Sequence, residues 1–224
     1  MASCQQWFVH SAIAWKRPYG LVSNTPIMDI EPFTPADAAR RARLEMPMLY
    51  AWLKPDEAVQ AAIAEHRAKW VWRAQPKPSL PKPNRLHMTL CHISPQGDAA
   101  VEGIRQALGE LRMEEGFDLL LDWSGVWPHN GIAVVRPQPN AALDRLQQAV
   151  VRQLAPWLSG RHDDWAPHIT IARKASGATA PAMPPVRWPV REFLFVRSWL
   201  KTRPVWHEVL ASYPLQSSGR NASL

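Results

Sequence analysis

Two short segments of this chain, Leu86-His87-Met88-Thr89-Leu90 and Pro167-His168-Ile169-Thr170-Ile171, carry one pattern: a histidine, an apolar residue, a threonine, an apolar residue. In extended backbone successive side chains point to opposite faces. Each His therefore shares a face with the Thr two places on, while Met88 and Ile169 point behind them into a core. The histidines stand 81 positions apart (168 minus 87), so they meet only if the fold brings two separate strands together. One His-x-Thr arises easily by chance. Two copies in matching strand contexts restrict the chain to folds in which two related lobes each contribute a strand to a shared site.

Composition narrows the class. The 22 prolines call for many turns and strand edges and argue against a helical bundle. Apolar residues make up 46% and charged residues 20%, as expected of a globular protein. No run approaches the 18 apolar residues of a membrane span, so no membrane association is expected. The N-terminus lacks the pattern of a secretory signal, and Cys4 and Cys91 make no disulfide framework, so the expected compartment is the cytoplasm. Lys and Arg exceed Asp and Glu by seven, which favours anionic partners such as nucleic acids or phosphorylated small molecules.

Along the chain, residues 1–44 read as an N-terminal extension, with a strand over Trp7–Trp15, several prolines, and a short helix over Ala38–Leu44 capped by Thr34 or Asp37. Met48–Leu53 reads as the first core strand and Asp56 as the cap of a helix running to about Lys69. Gln75–Pro83, with four prolines and two lysines, reads as an exposed loop delivering the chain to the first motif. A helix over Ala99–Leu111 follows, with Val101, Ile104, Leu108 and Leu111 on one side. Strands are expected at Phe117–Leu121 and within Trp123–Val135, then a helix from Ala141, capped by Asn140, to Leu154 or Leu158. Beyond the second motif, strands are expected at Val186–Trp188, Glu192–Trp199 and Val205–Leu210, and residues 216–224 read as a flexible tail. The expected fold is α+β, with residues 45–215 as one bilobal domain.

Paired histidines suit phosphodiester hydrolysis, which needs a base for the incoming water and an acid for the departing oxygen on opposite sides of phosphorus. Both roles are open to imidazole near neutrality. Thr89 and Thr170 can donate hydrogen bonds to non-bridging oxygens, and Arg173, five residues beyond His168, adds charge at the rim. No metal or other cofactor is called for. Two buried, hydrogen-bonded core histidines are the plainer alternative for either motif alone. A zinc site from the two His with Asp163 or Asp164 lacks a third ligand at a dependable spacing. Strand alternation puts His92 on the face opposite His87, His162 falls on a loop, and His10, His66, His129 and His207 have no evident partner in the sequence.

Residues 48 to about 215 resemble the two-histidine (2H) phosphoesterase superfamily, in particular its bacterial and archaeal 2′-5′ RNA ligase branch, whose members act as RNA 2′,3′-cyclic phosphodiesterases. The resemblance rests on Leu49–Leu53 with Pro55, Asn84–Leu90, Trp127-Pro128, and Trp165–Arg173. Cys91-His92 departs from the family's usual aromatic and aliphatic pair, and residues 1–44 have no counterpart. The resemblance implies a bilobal fold with two antiparallel sheets and outer helices around a central cleft. It implies metal-independent hydrolysis of RNA 2′,3′-cyclic phosphate ends to 2′-phosphates, with His87 as proton donor, His168 as base, and Thr89, Thr170 and Arg173 on the phosphate; the symmetry of the pair permits the opposite assignment. Reverse 2′-5′ ligation by the same site is also implied. The expected partner is RNA or a nucleotide bearing a cyclic phosphate, and the expected state a monomer. Small cyclic nucleotides, ADP-ribose cyclic phosphate or 2′-5′ oligonucleotides would suit the same residues, and a non-catalytic RNA-binding module stays open beside them.

Overall fold

The computed structural model describes residues 47–73, 76–111, 115–158, 164–200, 202 and 205–216. The elements expected within residues 1–44, together with His10, His162 and Asp163, lie outside the described residues, as does most of the expected tail.

β1 (Met48–Leu53) opens the described fold. Helix α1 (Glu57–Ala68) begins where the Asp56 carboxylate accepts from the Val59 N–H at 2.9 Å, a cap worth about 1 kcal/mol. A 3-10 turn at Pro83–Arg85 leads into β2 (Met88–Ile93). Helix α2 spans Asp98–Gly109 and buries Val101, Ile104 and Leu108, the stripe its 3.6-residue period specifies. β3 (Phe117–Trp127) is a single long strand across the two segments expected there; it turns at Gly131 (φ 64°) into β4 (Ile132–Pro137). A Cβ at Gly131 would meet the Ser176 Oγ at 2.6 Å, so both backbone angle and space call for glycine. Helix α3 (Ala141–Leu154) is capped by Asn140, whose side chain accepts from the Ala142 and Leu143 N–H groups at 3.0 Å each. β5 (Ile169–Ala172), β6 (Val186–Val190), β7 (Glu192–Trp199) and β8 (Trp206–Pro214) complete the order.

The strand ladders are all antiparallel, in the order β6-β3-β4-β5-β2-β1-β7-β8. The sheet falls into two four-stranded halves, β6-β3-β4-β5 and β2-β1-β7-β8. Long ladders hold each half together; between them β2 and β5 meet at the single rung Met88–Ile169, and an isolated parallel bridge ties Glu115, ahead of β3, to Gln216, past β8. The two expected antiparallel sheets are these halves, fused at one rung.

The helices bind the halves more firmly than that rung does. α1 follows β1 yet packs on β6 of the other half, where the Ser124 Oγ of β3 lies 2.8 Å from His66 Nε2. α3 follows β4 yet packs on β2, beside α2. One apolar core therefore runs beneath both halves through Leu53, Ile63, Met88, Ile104, Val150, Ile169 and Phe193, all essentially inaccessible to water. Burying each such side chain contributes about 1.5–3 kcal/mol. A second cluster, Trp52, Leu194 and Val196 with Tyr50 and Val209, lies apart from this core. Among the described residues no helix is long and apolar enough to cross a membrane.

The loop expected at Gln75–Pro83 is an exposed one over its described residues, and it is also held in place. From Pro76 on its side chains are largely exposed, but its backbone is docked: Ser79 and Arg173 exchange two backbone hydrogen bonds at 2.9 Å, and Arg67 Nη1 donates to the Pro81 carbonyl at 2.6 Å. Proline removes N–H donors at four of nine positions, and Ser79 supplies one that pairs with the end of the second motif.

Candidate active site

The Met88–Ile169 rung is the centre of the site. Both side chains are fully buried on the helix side. Carrying the antiparallel register one residue either way sets His87 opposite Thr170 and Thr89 opposite His168, all four on the other face. The histidines are then diagonal neighbours, about 7–8 Å apart along the backbone and somewhat closer at their Cβ atoms. The structure thus brings together the four residues that the two motifs nominate.

Each imidazole is held the same way. His87 Nδ1 donates to the Arg85 carbonyl at 2.8 Å, and His168 Nδ1 donates to the Ala166 carbonyl at 2.8 Å. A carbonyl only accepts, so the proton of the neutral ring sits on Nδ1 and Nε2 is left with a lone pair. Trp165 Nε1 donates to the Thr89 carbonyl at 2.9 Å and ties the approach to His168 onto β2.

Both motif strands carry a bulge immediately after the threonine. On β2, Ala51 pairs with Cys91 and Trp52 with Thr89, leaving Leu90 as the extra residue. On β5, Ala133 pairs with Ala172 and Val134 with Thr170, leaving Ile171 extra. A bulge shifts the alternation by one. His92 therefore lies opposite Tyr50, on the face of Thr89 and Trp52, and is exposed; simple alternation had put it on the opposite side. The same step turns Arg173 toward the site. Its charge is felt by His87, His168 and Tyr50.

Continuing the registers across the sheet adds flanking groups. Lys54 falls beside His87, and Arg136 beside His168. The electrostatics agree: Lys54 acts on His87 and Arg136 on His168. Trp52 stacks on His87 with ring centroids 3.8 Å apart and planes 17° apart, and the edge of Trp127 meets His168 at 4.5 Å. His207 stands 6.3 Å from His87 and 5.0 Å from Trp52, its Nδ1 sharing a 2.9 Å hydrogen bond with the Ser198 Oγ.

Burial pushes the His87 imidazole down to about 4; its bond to the Arg85 carbonyl opposes this, and His168, Arg173 and Lys54 act with it. His168 is lowered too, chiefly by burial, against the Ala166 carbonyl and with Arg136 and Arg173. Burial likewise takes His207 to about 4 and lowers Lys54. At neutral pH all three imidazoles of the free site are uncharged, so nearly all positive charge here resides on Arg and Lys.

Of the remaining histidines, His66 is a core residue whose Nε2 accepts from Trp70 Nε1 at 3.1 Å and lies 2.8 Å from the Ser124 Oγ. His129 lies on the exposed β3–β4 turn and stacks near Trp127. Trp52, Lys54, Arg136 and His207 were not singled out in the sequence. Arg136 had a signal, a charged residue ending the apolar run of β4. His207 had none: its strand pairing sets it opposite Ser198, and only the packing of its ring, 6.3 Å from that of His87, brings it to the site.

The 2′-5′ RNA ligase superfamily matches the chain over residues 55–200, a span holding both motifs. An RNA 2′,3′-cyclic phosphodiesterase of Thermus thermophilus is 30% identical over 190 residues, covering 76% of this chain and 91% of that protein. Among solved structures, E. coli LigT in its apo form superposes with a TM-score of 0.65 at 24% identity, covering 77% of this chain and 100% of that one. A further solved structure, also from Thermus thermophilus, gives 0.62 at 27% identity, covering 76% and 99%.

Proposed function

The chain belongs to the 2′-5′ RNA ligase superfamily, and from that premise we propose that it hydrolyses RNA 2′,3′-cyclic phosphate ends to 2′-phosphates by paired histidine acid–base catalysis. The observation that carries this reading is the placement of His87, Thr89, His168 and Thr170 on one face around the Met88–Ile169 rung, both Nδ1 atoms tied to backbone and both Nε2 atoms left to act.

A cyclic phosphodiester lying between the diagonal imidazoles has one on each side of phosphorus, as in-line displacement demands. His168 Nε2 takes the proton of the attacking water as the new P–O bond forms. His87 Nε2–H gives its proton to O3′ as the P–O3′ bond breaks, and the phosphate stays on O2′. Thr89 and Thr170 donate to the non-bridging oxygens, and Arg173 balances their charge. A 5′ hydroxyl in place of water would give a 2′-5′ linkage by the same proton transfers.

His87 at about 4 holds little proton at neutrality. An anionic phosphate favours the charged form of a nearby imidazole, so bound substrate itself would raise His87 into its acid role. Removing either transfer would cost about 10²–10⁴-fold.

The test is incubation of an oligonucleotide ending in a 2′,3′-cyclic phosphate with the purified protein in EDTA. A 2′-phosphate product is expected. No turnover, a 3′-phosphate product, or turnover abolished by the chelator would overturn the reading.

A further inference from the structure

The exposed Trp123 lies in line with the proposed phosphate site. It pairs with Arg136 across β3–β4, and the same register places Arg136 beside His168. Trp123, Gly125 and Trp127 fall at alternate positions of β3, hence on the face of the histidines. A Cβ on Gly125 would come within 2.5 and 2.8 Å of the Trp123 ring, so the indole lies down over the space that glycine leaves. Arg136 Cζ stands 5.8 Å from that ring's centroid, and its Nε is buried with no hydrogen-bond partner among the described residues. Trp123 is 46% exposed. A large apolar ring kept open to solvent, backed by glycine and edged by a guanidinium, matches what single-stranded nucleic acid requires: a flat platform with positive charge for the backbone beside it.

Distance decides which base it takes. Phosphorus midway between β2 and β5 is two and a half strand spacings from β3, about 12 Å. That is beyond the base on the phosphate's own ribose and suits the next nucleotide upstream. We propose that Trp123, laid over Gly125 and edged by Arg136, is a stacking subsite for the penultimate base of an RNA 3′ end. The inference rests on the phosphodiesterase reading and extends it: the site would select oligonucleotide ends over mononucleotides.

The experiment compares kcat/KM for a nucleoside 2′,3′-cyclic phosphate, a dinucleotide ending in one, and the same dinucleotide with an abasic first residue. Wild type should favour the full dinucleotide by about 5- to 150-fold, the span of base–aromatic stacking, with the abasic compound near the mononucleotide. Trp123→Ala should erase most of that advantage, Trp123→Phe should keep part of it, and Gly125→Ala, which displaces the indole while retaining it, should behave like Trp123→Ala. A wild type indifferent to the first base, or a Trp123→Ala protein that keeps the full advantage, overturns the subsite. Turnover of the mononucleotide judges the reaction separately: its presence without any dinucleotide advantage sinks the subsite alone, and absence of turnover with all three compounds sinks both.

Discussion

His87 and His168 reach the site by the same steps. In each case a carbonyl two residues upstream takes Nδ1, a buried residue follows, a threonine returns to the face of the histidine, and a bulge then turns a polar residue, His92 or Arg173, the same way. The walls around them differ. Opposite Thr89 stands Trp52, whose indole lies flat on His87, with His207 beyond it; opposite Thr170 stands Val134, and Trp127 meets His168 edge-on, the planes 62° apart. Burial accordingly pushes His87 to about 4, and it is also the chief cause that lowers His168. Duplicated backbone chemistry sets where two Nε2 atoms sit. Unlike neighbours set how readily each holds a proton, and His87, held low in the free site, would take the proposed acid role only where a bound anionic phosphate raises it.

The largest effects should come from the imidazoles. His87→Ala and His168→Ala should each lower kcat by about 10²–10⁴-fold or more, with the double variant much less than twice as bad on a logarithmic scale because both serve one transition state. Steady-state rates in chelator check this; near-wild-type kcat/KM in either single variant breaks the pairing.

The rung between the halves comes next. Met88→Ala and Ile169→Ala remove fully buried side chains and should each cost about 2–5 kcal/mol, read as a lower midpoint in urea unfolding. Two cooperative transitions in place of one would mean that the halves depend on this contact more than on the helices crossing between them.

Thr89→Val and Thr170→Val keep the branched shape and lose the hydroxyl. Each should cost about 1.5–3 kcal/mol of transition-state stabilisation, the worth of a hydrogen bond to a charged group, seen mostly in kcat/KM. A loss confined to one threonine would show that the phosphate sits off the symmetry of the motifs.

The smallest expected effect is on pH dependence. The free site's histidines lie below the ordinary value, so the bell of kcat/KM should centre on the acid side of 6.5. The bell of kcat should sit higher, because bound phosphate favours the charged imidazole. Cations lower both groups, so their removal raises them. Lys54→Met should move the limb belonging to His87 upward and Arg136→Met that belonging to His168, each by less than about one unit. Apparent values belong to the pair where the sites couple. A downward shift in either variant would contradict this electrostatic account.

Much of this molecule follows from short-range rules that can be read along the chain. Alternation with period two paired His87 with Thr89 and His168 with Thr170. Asp56 and Asn140 announced their helices because a cap acts on N–H groups two or three residues away. The apolar runs at Phe117–Leu121 and within Trp123–Val135 marked strands, although Phe117 to Trp127 proves to be one continuous strand, β3. What required the tertiary structure is whatever depends on pairing partners far apart in sequence. The bulges at Leu90 and Ile171 show only against Ala51 and Ala133 on neighbouring strands, and they decide that His92 and Arg173 face the site. Trp52, Lys54 and Arg136 enter it through cross-strand register and His207 through the packing of its ring, neither of which a local pattern encodes, and a single β2–β5 rung joins the two motif strands. Side-chain direction is a property of the residue and its nearest neighbours in the chain. The environment that sets proton affinity is a property of residues that only folding makes neighbours.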